Sequence, residues 1–147
     1  MEIFESNHAN ETFAFAKSIG EKLKGGDVVA LIGDLGCGKT VFAQGLAAGL
    51  GICEVVNSPT FVILHEYESG RLPFYHFDAY RINDIREMDE TGYHSYVYGD
   101  GVTLVEWADL IEEILPAEYL RVEIEKDLDK GFDYRRIKWS PDENNRA

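Results

Sequence analysis

A buried-looking apolar run that breaks into three closely spaced glycines and then a Lys-Thr pair leaves few folds open to a chain. Here it reads Asp27-Val-Val-Ala-Leu-Ile-Gly33-Asp34-Leu35-Gly36-Cys37-Gly38-Lys39-Thr40. The segment reads as a strand, a loop matching G-x-x-x-x-G-K-[ST] over residues 33–40, and the first turn of a helix. Glycine at 33, 36 and 38 permits turns that a Cβ would forbid, so successive N–H groups can point at one polyphosphate. The helix that follows adds its unsatisfied N–H groups and positive dipole end. Lys39 has the reach to meet the β- and γ-phosphates, and the Thr40 hydroxyl suits the shell of a Mg²⁺ ion. The motif therefore predicts nucleotide binding, against the plainer reading of a glycine-rich turn followed by a surface lysine.

Length and charge narrow the rest. A chain of 147 residues is one domain. Its 27 acidic against 14 basic residues leave a net charge of −13, and such a surface repels nucleic-acid backbones, which need clustered Lys and Arg. Tight binding of tRNA or any other nucleic acid by the chain alone is not expected. No apolar run approaches the ~20 residues that span a bilayer, so no membrane association is expected. Met1-Glu-Ile-Phe-Glu-Ser has neither a basic region nor an apolar core, so no export signal is expected. Two cysteines, Cys37 inside the loop and Cys53 after the next helix, read as free thiols in a reducing cytoplasm.

Taken in order, residues 2–5 form a short edge strand. Asn7 or Asn10 caps a helix carrying Phe13, Ala16, Ile19 and Leu23 at helical spacing, and Gly25-Gly26 ends it. The helix after the loop runs over 39–50, with Phe42, Leu46 and Leu50 on one face and Gly51 as its stop. Residues 61–67 and 72–77 pair as a hairpin, and a helical turn lies near 85–90. The stretch 96–101 reads as a loop, 102–106 as a strand, and 108–115 as a helix ended by Pro116. Two final strands, 120–125 and 134–139, precede a loose tail at 140–147. The pattern predicts an α/β, three-layer P-loop NTPase fold as one domain over 1–139. Its sheet is mixed, with parallel strands around the phosphate loop and antiparallel additions.

Phosphate chemistry needs a carboxylate at the tip of a neighbouring strand. Glu106 closes the apolar run Val-Thr-Leu-Val and fits that place, because open α/β sheets bind ligands at the carboxyl ends of their strands. A solvent-facing glutamate is the alternative. Asp78, after Tyr75-His76-Phe77, is a second candidate acid that could equally cap the turn at Ala79-Tyr80. His76 alternates with Asp78 along the strand and reads as a hydrogen-bonding residue that orients the site. Pro59 favours an extended Ser58, and Thr60, fixed by Pro59 in the loop after the helix, stands where switch proteins sense Mg²⁺ and the γ-phosphate, with simple turn chemistry as the competing reading.

The sequences Gly33-Asp-Leu-Gly-Cys-Gly-Lys-Thr40, Ser58-Pro-Thr-Phe61, His76-Phe-Asp-Ala-Tyr-Arg81 and Val105-Glu-Trp107 occur in this order. Together they resemble the TsaE (YjeE) family, a bacterial ATPase of tRNA threonylcarbamoyladenosine biosynthesis. The resemblance covers nearly the whole chain. It implies an ATP- and Mg²⁺-dependent ATPase of weak intrinsic activity that works with the TsaB and TsaD proteins. It implies catalytic roles for Lys39, Asp78, Glu106 and Thr60, and a metal site of Thr40, Glu106 and Asp78. Nucleotide contacts are implied for Thr12, Gly33, Asp34, Leu35, Gly36, Cys37, Gly38, Lys39, Thr40, Val41, Trp107 and Arg136, with Arg135 as the alternative to Arg136. Trp107 reads equally as a core aromatic. Cys37 stands where the family usually has Ala. Val41 stands where a second Thr commonly follows, which removes a hydroxyl contact to the α-phosphate. Two other functions remain open: a small-molecule P-loop kinase, although the seven arginines are dispersed with no basic lid after Glu106, and a nucleotide-dependent binding switch.

Overall fold

The computed structural model describes residues 2–33, 36–56, 64–80 and 82–140. One seven-stranded sheet has the order β1-β7-β6-β2-β5-β4-β3. Its strands are β1 (Glu2–Ser6), β2 (Val28–Ile32), β3 (Leu64–Tyr67), β4 (Phe74–Asp78), β5 (Val102–Glu106), β6 (Leu120–Lys126) and β7 (Arg135–Trp139). The centre is parallel: β6, β2, β5 and β4 run side by side in one direction. β7 and β1 extend one side and β3 the other, all through antiparallel pairing. This is the expected mixed sheet.

The two central strands β2 and β5 are buried on both faces, which is why they read as apolar runs, whereas β6 alternates buried Leu, Val and Ile with part-exposed Arg and Glu. Along β2, Val29 and Leu31 face one core and Val28 and Ala30 the other. The first core lies under α1 (Ala9–Gly20) and α2 (Lys39–Gly49) and centres on Ala16, Phe42, Leu46, Leu104 and Ile124. The second gathers Phe77, Met88, Tyr93, Val105 and Ile111 beneath α3 (Arg86–Glu90), α4 (Tyr93–Val97) and a 3₁₀ stretch at Ala108–Ile114. α1 and α2 touch backbone to backbone. A Cβ added at Gly20 would lie 2.3 Å from the Leu46 carbonyl oxygen, and one at Gly49 2.3 Å from that of Lys17.

Several local expectations shift. The N-cap of α1 is His8, whose Nδ1 accepts from the Asn10 amide at 3.2 Å, in place of Asn7 or Asn10. Thr12, not Phe13, occupies the buried side of the first turn; Phe13 is 36% exposed. The polar stretch before β5 is less irregular than its composition implies. Gly92 turns the chain at φ 82° and starts α4, so Tyr96 and Val97 are helical. The segment after β5 is 3₁₀ rather than α, broken at Ile111. The expected strand over 61–63, the loop over 57–60 and the tail beyond Ser140 lie outside the described residues.

Candidate functional site

Parallel strands deliver their carboxyl ends to one edge of a sheet. Along that edge lie Gly33 after β2, Lys126 at the end of β6, Glu106 at the end of β5 and Asp78 at the end of β4. β7 runs antiparallel to β6, so its first residue, Arg135, starts from the same edge, opposite Lys126.

The glycine-rich loop leaves β2 at Gly33. Gly36 and Gly38 adopt φ of 75° and 101°, left-handed values that favour glycine. Gly38 is the N-cap of α2, and no acidic residue stands in that helix's first turn. The helix therefore begins with its positive end unneutralised by its own side chains. Lys39 is 7% exposed. Its ammonium donates to the Gly33 carbonyl at 2.5 Å, lies 3.9 Å from Cys37 Sγ and sits 4.2 Å from the centroid of the Trp107 ring. Thr40 and Val41 follow, partly buried, in the first turn of α2. Asp34 and Leu35 lie outside the described residues, as does Thr60.

The two acids meet across the sheet. Asp78 and Glu106 are register partners of β4 and β5. Glu106 is 2% exposed and accepts a hydrogen bond from His76 Nε2. That burial rules against the alternative of a solvent-facing glutamate. Asp78 is half-buried and accepts from the Tyr80 amide at 2.9 Å, so the turn-capping reading describes one of its oxygens. Burial pushes the Asp78 carboxyl above the usual range, and the Glu106 charge pushes the same way. The Tyr80 N–H, His76 and Lys39 pull it back.

Trp107 follows Glu106 in a left-handed conformation, φ 58°, which is strained for a bulky side chain and belongs to the kind of backbone found at functional sites. Its ring packs against Tyr80 at 4.7 Å between centroids while Lys39 lies over it. It is thus both a partly buried core aromatic and a wall of the site.

Two nucleotide-contact expectations fare differently. The Thr12 side chain is 2% exposed and donates to Ser6 Oγ at 2.7 Å, a hydrogen bond that ties α1 to β1. Of the two adjacent arginines, Arg135 rather than Arg136 meets the loop. Its Nε donates to the Cys37 carbonyl at 2.8 Å, and its Nη1 to the carbonyls of Phe132 and Tyr134 at 2.9 and 2.7 Å. Arg136 pairs instead with Asp127 at 3.7 Å. The pleat sends neighbouring side chains to opposite faces, so only the β7 register separates the two. Lys126 went unnoticed in the sequence; its Nζ would lie 3.2 Å from a Cβ at Gly36. Between the loop and the end of β6 opens a cleft of about 570 Å³ lined by Ile32, Gly33, Cys37 and residues 123–126. Cys37 is buried and Cys53 exposed, both as free thiols. Among the described residues, no helix is long and apolar enough to cross a membrane.

A strand, a glycine-rich turn and a helix at the centre of a mixed sheet, with acids on the next two strand tips, define the P-loop NTPase class of α/β proteins. Within that class the model of one family, described as "Threonylcarbamoyl adenosine biosynthesis protein TsaE", matches residues 6–137. The chain belongs to the TsaE family, a family of tRNA threonylcarbamoyladenosine biosynthesis. It is 52% identical to the tRNA threonylcarbamoyladenosine biosynthesis protein TsaE of Bacillus subtilis over 127 residues, 86% of this chain and 77% of that protein. It is 42% identical to the protein of the same name in Treponema pallidum, over 76% of this chain and 82% of that one. The crystal structure of Bacillus subtilis YdiB superposes with a TM-score of 0.80 at 43% identity, covering 94% of this chain and 83% of that chain.

Proposed function

We propose that this chain binds and slowly hydrolyses ATP with Mg²⁺ as an accessory subunit of tRNA threonylcarbamoyladenosine modification, acting on TsaB and TsaD. One observation carries the reading: the Lys39 loop and the Asp78–Glu106 carboxylate pair share one sheet edge on adjoining parallel strands. A polyphosphate needs inward-turned amides and a fixed cation, which Gly36, Gly38 and Lys39 supply. Cys37 lies within the loop, Val41 in the first turn of α2 and Trp107 against Lys39; nucleotide contacts are assigned to them and to Asp34 and Leu35.

The donor set also fits magnesium. The Thr40 hydroxyl and the Asp78 and Glu106 carboxylates are hard oxygen ligands, the kind Mg²⁺ prefers. Burial and a like-charged neighbour hold Asp78 above its ordinary range, a tension that a divalent cation relieves. When bound, the metal would neutralise phosphate charge. Thr60 is assigned a switch role. The net charge of −13 supports action through protein partners in the cytoplasm rather than through tight contact with tRNA.

The test is phosphate release from ATP by the chain alone, with TsaB–TsaD added, and with Lys39→Ala in each setting. Slow release that the partners accelerate and Lys39→Ala abolishes is the expected result. Phosphoryl transfer to a nucleoside or metabolite acceptor would replace this reading with a kinase. Binding without hydrolysis in either setting would reduce the chain to a nucleotide-gated switch.

A further inference from the structure

The buried pair at the base of the site contains more than the two acids. His76 is wholly buried in β4, and its Nε2 meets Glu106 Oε2, itself on a side chain 2% exposed. The other ring nitrogen, Nδ1, is buried and has no hydrogen-bond partner among the described residues. The ring is flanked by Phe74, nearly parallel at 6.0 Å between centroids.

These facts fix where the proton sits. With hydrogen on Nδ1, a donor would be buried unsatisfied while the bare Nε2 lone pair faced a carboxylate oxygen. With hydrogen on Nε2, the imidazole donates to Oε2 and only a lone pair is orphaned at Nδ1. That orphan still carries a desolvation cost, and an apolar side chain at position 76 would avoid it. The imidazole is therefore poorly explained as core filling and well explained by what it does to Glu106.

We infer that His76 is a positioning residue: its Nε2–H holds Oε2 of Glu106, fixing the carboxylate's rotamer and leaving Oε1 for the ligand side of the site. The inference rests on the ATPase reading for its kinetic consequence and on no part of it for the hydrogen bond. A carboxylate tethered at one oxygen presents the other in a fixed direction, and the loss of such an outer hydrogen bond typically costs 10–100-fold in activity or metal affinity.

Two measurements on the full chain test it. Long-range ¹H–¹⁵N spectra of the ligand-free protein at neutral pH should show His76 as the Nε2–H tautomer, with a proton shifted downfield that moves upfield in Glu106→Gln. An Nδ1–H tautomer, or a resonance indifferent to Glu106→Gln, overturns the proposal. In hydrolysis assays His76→Leu should lower kcat at least 10-fold with KM for ATP changed less than about twofold. His76→Gln, whose amide reaches the same oxygen, should recover most of the loss. A folded His76→Leu protein with unaltered kcat overturns the proposal. Should His76→Leu fail to fold, His76→Asn replaces it: its amide is too short to reach Glu106, so parity of the Asn and Gln variants is equally fatal. Wild-type protein that hydrolyses no ATP but shows the coupled Nε2–H resonance would refute the ATPase reading and keep the tether.

Discussion

Gly38 is where the backbone demands of the loop are most exposed to test. It stands at φ 101°, ψ 20° as the N-cap of α2, and a Cβ there would meet nothing closer than Arg135 Nε at 3.8 Å, an ordinary contact. Gly38→Ala therefore creates no clash, only strain. An L-residue held in the left-handed region costs roughly 1–2 kcal/mol. If the loop keeps its conformation, the cost appears as stability, a fall in Tm of about 2–4 °C per kcal/mol for a chain of this size. If the unliganded loop relaxes to negative φ, Tm is spared and the same energy must be supplied on binding, weakening MgATP affinity about 5–30-fold. The two losses trade against each other, so differential scanning calorimetry and titration calorimetry should be read together. Gly38→Asn should lose less than Gly38→Ala, because asparagine tolerates this conformation. Gly33→Ala is the contrasting case: its φ is not in the left-handed region, but its Cβ would lie 2.5 Å from Cys37 Sγ and 2.9 Å from the Ile124 carbonyl. Asparagine should bring no relief there. Gly38→Ala with wild-type Tm and wild-type affinity, or Gly38→Asn no better than Ala, would refute the strain argument.

Three other perturbations have signed outcomes. Arg135→Ala removes the guanidinium that holds the Cys37 carbonyl and should weaken MgATP binding by about 10–150-fold, the equivalent of the ~1.5–3 kcal/mol of a charged hydrogen bond. Arg136→Ala, losing a partly exposed pair with Asp127 at 3.7 Å, should leave affinity within about twofold; titration calorimetry showing the reverse order would sink the assignment. Asp78→Asn should abolish most hydrolysis yet raise Tm at pH 7. The folded-state pKa of Asp78 is raised by burial, so wild-type stability falls as pH rises from the ordinary aspartate range through the raised value. The Tm gap should therefore shrink towards acid pH, and a gap that is pH-independent would contradict the burial argument. Glu5 behaves oppositely: the Tyr134 hydroxyl, then the Lys130 ammonium, hold its carboxyl below the usual range. The stability lost in Glu5→Gln should be full at pH 7 and disappear as pH falls through the carboxylate range, as melting curves across that range would show.

The loop, its strand and its helix were legible because their spacing is dictated locally: an apolar run, then residues chosen for backbone freedom, then a helix start. Glu106 was legible for the same reason, as the first charge after four apolar positions. What escaped the sequence depends on register or on distance. Arg135 and Arg136 are chemically equivalent neighbours, and only the pairing of β7 with β6 says which meets the loop. The His76–Glu106 bond joins residues 30 apart in sequence, and no periodicity within either strand points to it. The left-handed Trp107 follows no local propensity at all, since nothing in Val-Glu-Trp-Ala favours positive φ. The helix α4 hid inside a stretch rich in Tyr and Gly, where composition argued for a loop and the burial of Tyr93 and Val97 decided otherwise. Thr12, a nucleotide contact implied only by the resemblance, is buried with its hydroxyl donating to Ser6 Oγ, a pairing that no local pattern announces.

The strand order itself sorts the charges of this edge. β2 stands between β6 and β5, so whatever β6 and its antiparallel neighbour β7 bring to the edge falls on one side of the glycine-rich loop, and whatever β5 and β4 bring falls on the other. Lys126 and Arg135 come from the first pair, Glu106 and Asp78 from the second, with Lys39 on α2 between them. In a chain of net charge −13, the cations are thereby concentrated beside the loop while the acids are held one and two strands away. A polyanion requires the first grouping and a divalent cation the second, and the strand order keeps the two groupings on opposite sides of β2. Exchanging the sides would make the point directly. With Arg135→Glu, an acid would stand against the Cys37 carbonyl that Arg135 now binds, and MgATP affinity should fall further than in Arg135→Ala while the fold, which has a core on each face of the sheet, keeps its Tm within a few degrees. Equal affinities for the two variants would mean that Arg135 acts on the loop only by hydrogen bonding, and that the sorting of charge across β2 contributes nothing.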